Sequence, residues 1–238
     1  MDYQRIYRER ADDYDRLVCA EDADGHLLPA LEAVAPTTGR DVLDVGTGTG
    51  RLARLLVGRA RRVVGVEPSP AMLAVARRHL EGSGHGGWEL HEGRADALPV
   101  ASASFDLVVA GWVLGHLRTW RADDWREAIG ACLAEMTRCA RPGGAVVVIE
   151  TLGTGSEAPA PPNAALAEYF AWLEAQGFAR RAIRTDYVFP DVATAAAVCG
   201  GFFGDAFAAR VTAEGWSRVP ECTGVWSRVR GAGAGAGG

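Results

Sequence analysis

Residues 41–56 read "DVLDVGTGTGRLARLL", and no other stretch limits the fold as much. An apolar run ends in glycines at 46, 48 and 50, and a helical apolar spacing follows at Leu52, Leu55 and Leu56. Fixing a glycine costs more backbone entropy than fixing any other residue, so a row of them serves backbone geometry. A continuous apolar run entering that turn reads as a strand buried on both faces. Strand, tight glycine turn and helix together open a parallel sheet with crossover helices.

The rest of the chain repeats this unit. "RRVVGVE" is a second buried strand ending at Glu67. Ser69 as N-cap and Pro70 at the first helical position start a helix over "PSPAMLAVARRHL", and "GSGHGG" (82–87) stops it. "WELHEGRA" is a third strand and "SFDLVVAGWVL" a fourth. A helix over 121–140 places Trp125, Ile129, Leu133 and Met136 on one face, "RPGG" (141–144) ends it, and "AVVVIE" is a fifth strand. "GTGSEAPAPP" (153–162) reads as a mobile loop over the site, followed by a helix over 163–176. Two further β runs, "ARRAIRTDYVFP" and "VPECTGVWSRVR", surround a short helix and fit one sheet edge in antiparallel pairing. The expected fold is therefore α/β, a Rossmann-like doubly wound, mostly parallel seven-stranded sheet with an antiparallel C-terminal edge. One domain spans 1–230, with an N-terminal helical cap (1–35), a cofactor-binding core (40–150) and substrate-side and sheet-edge elements (151–230). "GAGAGAGG" (231–238) is expected to be disordered.

Charge and residue usage narrow the function classes. The net charge of −5 argues against a nucleic-acid partner. No apolar run reaches the length of a membrane span, and the N-terminus has no apolar signal core, so no membrane partner is expected. Five cysteines with no C-x-x-C pair read as reduced thiols of a cytoplasmic protein. No H-x-x-x-H pair or cysteine pair has zinc spacing, so no metal is expected. The chain has no lysine, which excludes lysine as a catalytic base or Schiff-base former. His79, His85 and His91 read as surface residues.

The glycine row is best explained by a ligand at the carboxyl edge of the sheet. A nicotinamide dehydrogenase would carry G-x-G-x-x-G, but the third place is Arg51. Asp44, two residues before the first glycine, suits a cationic ligand better than a diphosphate. Glu67 lies 21 positions after Gly46, the usual distance for an acidic residue that accepts a ribose diol.

"VLDVGTGTGRLA", "VVGVEPSPAML", "GRADALPVASASFDLVVAGWVLGHL" and "RPGGAVVVIE", in this order, resemble the class I S-adenosylmethionine-dependent methyltransferases. The small-molecule branch, related to the ubiquinone/menaquinone and natural-product enzymes, is the most similar. The resemblance covers roughly residues 1–150. It implies that Gly46, Thr47, Gly48, Thr49 and Gly50 pass under the methionine part of S-adenosylmethionine, that Glu67 holds the ribose, and that Pro68 and Met72 flank it. At the place of the family's acidic adenine contact stands Arg94, so Asp96 or the backbone of Ala95 takes over that role. Ala110, Gly111 and Trp112 fall near the transferred methyl, and Tyr14 either closes over the cofactor or anchors its helix. The product would be S-adenosylhomocysteine.

The implied reaction is in-line methyl transfer to a small molecule, for which the protein supplies mostly orientation and desolvation. The alternative is a cyclisation or rearrangement on the same scaffold with the methyl retained. His116 is the first candidate base, with an ordinary pKa of about 6.5, or else a structural histidine. Glu150 is the second, or else a plain strand-end carboxylate. Monomer and homodimer both fit the sequence.

Overall fold

A computed structural model describes residues 3–231; residues 232–238 of the expected tail lie outside the described residues. Three N-terminal helices come first: α1 (Tyr3–Glu9), α2 (Ala11–Ala20) and α3 (Leu27–Glu32). The alternating core follows as β1 (Asp41–Val45), α4 (Arg51–Leu56), β2 (Arg62–Glu67), α5 (Pro70–Gly82), β3 (Trp88–Glu92) and β4 (Phe105–Gly111). It continues through α6 (Leu114–Trp120), α7 (Trp125–Cys139), β5 (Ala140–Thr154) and α8 (Ala164–Ala175). The last part holds β6 (Ala179–Arg184), β7 (Tyr187–Val188), α9 (Val192–Phe203), α10 (Asp205–Ala213), β8 (Arg218–Val219) and β9 (Glu221–Val229).

The seven-stranded sheet has the order β3-β2-β1-β4-β5-β9-β6. Pairs among the first five strands are parallel, and β9 pairs antiparallel with both β5 and β6. Helices cover both faces. Val42, Val63, Leu107, Val109 and Val147 pack against Leu31 of α3 and Leu52 and Leu56 of α4. Their neighbours Leu43, Val64, Val108 and Val146 point the other way, onto Ile129 and Met136 of α7 and Phe170 of α8. This alternation is why the strands read as unbroken apolar runs.

Ser69 caps α5 by accepting the Met72 N–H, with Pro70 at the first helical position as expected. Four expectations change. Residues 114–120 form a helix, α6, that the apolar run of the fourth strand hides. "RPGG" lies within the long irregular strand β5, whose pairing with β4 shifts register between Phe105 and Leu107. Two helices, α9 and α10, stand where one was expected, and they turn sharply at Gly204, φ +95°. The segment read as a mobile loop is held by backbone bonds from Gly155 N–H to Pro220 and from Ala160 N–H to Leu152, each 2.7 Å.

α9, α10, β7 and β8 form a small lobe around Val211, Tyr187 and Phe189, and Leu17 of α2 packs into it. Among the described residues no helix is long and apolar enough to cross a membrane.

Candidate functional site

The strand order reverses between β1 and β4, so the place where open sheets of this kind take a ligand lies at their carboxyl ends. The loop after β1 reaches into it. Gly46, Gly48 and Gly50 have φ of +69°, +57° and +86°, in the left-handed region that favours glycine. The N–H groups of Gly46 and Thr47 both donate to the Val66 carbonyl, at 2.7 and 3.0 Å, folding the loop back over β2. A Cβ on Gly46 would collide with Val113 Cγ2, whereas one on Gly48 would make ordinary contacts, with the Tyr14 ring at 3.8 Å and the Gly46 carbonyl oxygen at 4.0 Å.

Asp44 lies buried under this loop and accepts from Thr47 Oγ1 at 2.6 Å. Burial lifts its carboxyl to about 6 against the pull of that bond and of the Ala53 backbone. Its hydrogen bonds shape the loop rather than face an open cleft. Thr49 is buried as well, and its Oγ1 has no partner among the described residues.

Glu67 joins the loop to the end of β2. Its Oε2 accepts from Gly48 N–H at 3.2 Å and its Oε1 from Ser69 N–H at 3.0 Å. Burial raises the carboxyl to about 7, while the two amides pull it down. Pro68 beside it is exposed. Met72 is buried among Ala11 and Val75 and packs under Tyr7 and Tyr14, so it is core between α5 and the N-terminal helices.

Tyr14 of α2 covers Gly48 and packs edge-on against Tyr7, with centroids 5.3 Å apart, and on Phe202 at 5.6 Å. Burial raises its phenol, which stays neutral. Tyr7 Oη and His116 Nε2 are hydrogen-bonded at 2.8 Å, and His116 stacks on Trp120. Burial pushes His116 down to about 4, so the ordinary value expected for a base does not hold. Instead the imidazole is neutral and ties α6 to α1.

Glu150 is only 4% exposed and is no plain strand-end carboxylate. It accepts from Gly115 N–H at 2.7 Å and from Tyr169 Oη at 3.4 Å, and burial raises it to about 8. Arg94 turns outward, its side chain 70% exposed, and grips Asp96 through two bonds of 2.9 and 2.7 Å. That ion pair holds Asp96 below the usual carboxylate range. Ala95 packs against the larger core cluster. Ala110 is buried at the end of β4 and Gly111 follows under Leu52. Trp112 then adopts φ +56°, unusual for a bulky residue, while its N–H donates to Ile149 at 2.7 Å.

The structure adds a buried charge cluster that the sequence hides. Arg51 lies 3.9 Å above the Trp112 ring and pairs with Glu21 at 2.7 Å. Glu21 also accepts from Thr185 Oγ1 at 3.1 Å. Nearby Glu221 accepts from Thr151 Oγ1 at 2.6 Å, and burial, then the charge of Glu21, raises it to about 8. Arg51 Nη2 and Glu221 Oε2 have no hydrogen-bond partner among the described residues. Residues 21, 51, 185 and 221 share no local spacing, so only the fold could reveal the cluster.

Residues 43–148 match a family described as a methyltransferase domain. A demethylmenaquinone methyltransferase of Tropheryma whipplei is 31% identical over 150 residues, covering 62% of this chain and 58% of that protein. A malonyl-[acyl-carrier protein] O-methyltransferase of Serratia marcescens is 29% identical, covering 63% and 52%. The match thus spans less than two thirds of the length of these relatives. Among solved structures, the YcgJ protein of Bacillus subtilis superposes with a TM-score of 0.61 at 14% identity, over 88% of this chain and 100% of that one. Residues 43–148 thus match a methyltransferase domain in sequence, and the fold is one that the chain shares with the YcgJ protein.

Proposed function

We propose that the chain binds S-adenosylmethionine at the carboxyl edge of β1, β2 and β4 and methylates a small molecule. The observation that carries this reading is the 3.2 Å bond from Gly48 N–H to Glu67. It makes the glycine row and the acidic strand end one continuous surface, with backbone approach on one side and a carboxyl acceptor on the other.

The residues fit that cofactor. Each Glu67 oxygen accepts one amide, which leaves a further acceptor site on each for a ribose diol. Glycine at 46 and 48 presents bare backbone to the methionine end, and the buried Thr49 hydroxyl has hydrogen-bonding capacity to spare. Asp96 and the Ala95 backbone would meet the adenine, and Ala110 to Trp112 would border the methyl. Tyr14 would cover the loop and keep water out. When bound, the cofactor supplies a sulfonium methyl that the acceptor takes by in-line displacement, leaving S-adenosylhomocysteine. Neutral His116 carries one ring proton and shares a hydrogen bond with Tyr7 Oη through Nε2. Glu150, raised to about 8, holds its proton at neutral pH and becomes able to take one from the acceptor only as pH rises towards 8. The relatives' printed names support a small-molecule or carrier-bound acceptor.

Calorimetric titration with S-adenosylhomocysteine, with NADH in parallel, tests the proposal. One-to-one binding of the first alone is expected. Binding of neither, or of NADH, overturns it. With an acceptor in hand, one S-adenosylhomocysteine per turnover separates methyl transfer from a rearrangement that retains the methyl.

A further inference from the structure

His79, expected on the surface, is half-buried and bonded through Nε2 to Asp15 Oδ2 at 2.7 Å. Asp15 and Cys19 stand four residues apart on α2, so they share one face of that helix. His79 comes from the last turn of α5. One ligand atom from each of the three lies within 4.8 Å of the others.

We propose that Asp15, Cys19 and His79 bind a divalent cation of zinc's class. The donor set, one carboxylate oxygen, one sulfur and one imidazole nitrogen, is that of zinc and not of calcium or magnesium. Two observations favour an ion over a simple carboxylate–imidazole pair. Asp15 Oδ1 is buried and has no hydrogen-bond partner among the described residues, so the carboxylate has an unused oxygen at the cluster. Arg54 donates from Nη1 and Nη2 to Cys19 Sγ at 3.2 and 3.3 Å. Those bonds fix the sulfur beside the carboxylate–imidazole pair, within the 4.8 Å span of the three ligand atoms.

The charges balance. One carboxylate and one thiolate neutralise a divalent ion, the imidazole ligates as a neutral group, and Arg54 remains a part-exposed cation next to the sulfur. Tetrahedral zinc holds sulfur and nitrogen ligand atoms about 3.5 Å apart, given its usual bond lengths. Reaching that from separations of up to 4.8 Å needs only rotamer changes of the exposed Cys19 and half-buried His79. Three protein ligands leave the fourth position to water.

The position gives the ion a consequence. Tyr14, which covers Gly48, is the residue before Asp15. α5, which carries His79, is capped by Ser69, whose N–H holds Glu67. An ion between the two helices fastens the N-terminal cap to the helix that follows the acidic strand end, across the glycine row.

The test uses reduced, tag-free full chain and zinc itself, titrated in competition with a chromophoric chelator, with cobalt absorption as a second readout. One site per chain is expected, with a sulfur-to-cobalt charge-transfer band. Cys19→Ser should abolish the band, and Cys19→Ser and His79→Ala should each weaken zinc binding by about tenfold or more. Cys19 is exposed and the other four cysteines are buried, so Cys19→Ser leaves the core intact and keeps the test meaningful. Absence of zinc uptake by the parent chain, or either variant binding zinc as the parent does, overturns the proposal.

Discussion

Replacing Glu150 with glutamine should make the protein more stable at alkaline pH while leaving it almost unchanged in acid. The Glu150 carboxyl titrates near 8 in the folded chain, against 4.5 for the ordinary side chain, because burial disfavours its charge. Between these values the folded state keeps a proton that the unfolded state has released. The contribution is therefore fully present below about 4.5 and is lost as pH rises towards 8. Integrating between pH 5 and pH 8 gives a loss of about 3 kcal/mol. Glutamine has nearly the same shape and carries no charge, and its carbonyl oxygen can accept from both Gly115 N–H and Tyr169 Oη, which meet the same Oε1 of Glu150. For a chain of this length the difference corresponds to roughly 6–12 °C in melting temperature. The assay is thermal unfolding of both proteins at pH 5 and pH 8. Other raised carboxyls, such as Glu67 and Glu221, tilt both curves alike and cancel in the comparison. Parallel pH profiles for the two proteins would show that Glu150 is solvated, and the closed packing around Gly115 and Tyr169 would then be wrong.

Other outcomes can be stated more briefly. Glu67→Ala should weaken S-adenosylhomocysteine binding by about 1–3 kcal/mol in calorimetry, the range for a lost charged hydrogen-bond partner. In the parent chain that binding should tighten about tenfold between pH 6 and pH 8, because ribose hydroxyls donate to the ionised carboxylate and Glu67 titrates near 7; Glu67→Gln should flatten this dependence. Gly46→Ala should lower the melting temperature, since the new methyl meets Val113 in a left-handed backbone, together on the order of 2–4 kcal/mol; an unchanged melting temperature would mean that Val113 is not seated on the loop. Arg51→Met should cost about 3–5 kcal/mol by leaving Glu21 buried without its partner, and the double variant with Glu21→Met should recover most of it in urea unfolding.

What could be read in advance follows the range of the physics involved. Strands β1, β2, β4 and most of β5 declared themselves because burial on both faces demands unbroken apolar runs. The start of α5 did so because a serine cap and a first-turn proline act within four residues. The glycine row and Glu67 were legible because loop geometry and strand length fix their spacing. α6 was hidden because Leu114 and Leu117 continue the apolar run of β4. The titration of His116 could not be foreseen, since its burial depends on Tyr7, 109 positions away. Glu150 looked like any strand-end carboxylate until Gly115 and Tyr169 closed over it. Arg51 was visible only as the residue that breaks a dinucleotide motif, because Glu21 and Trp112, its partners, come from elements remote in the chain.

The place of β9 in the sheet bears on how the molecule is made. β6 never touches β5; β9, which follows β6 after the whole α9–α10 lobe, lies between them. During synthesis, which proceeds from the N-terminus, β5 emerges with one edge unpaired and stays so until residues 221–229 arrive. A buried apolar strand with an open edge is a template for pairing with another nascent chain. Truncation before residue 221 should therefore yield an aggregating polypeptide rather than a smaller folded protein, and ribosomes stalled over the α9–α10 segment should recruit chaperones to the exposed side of β5.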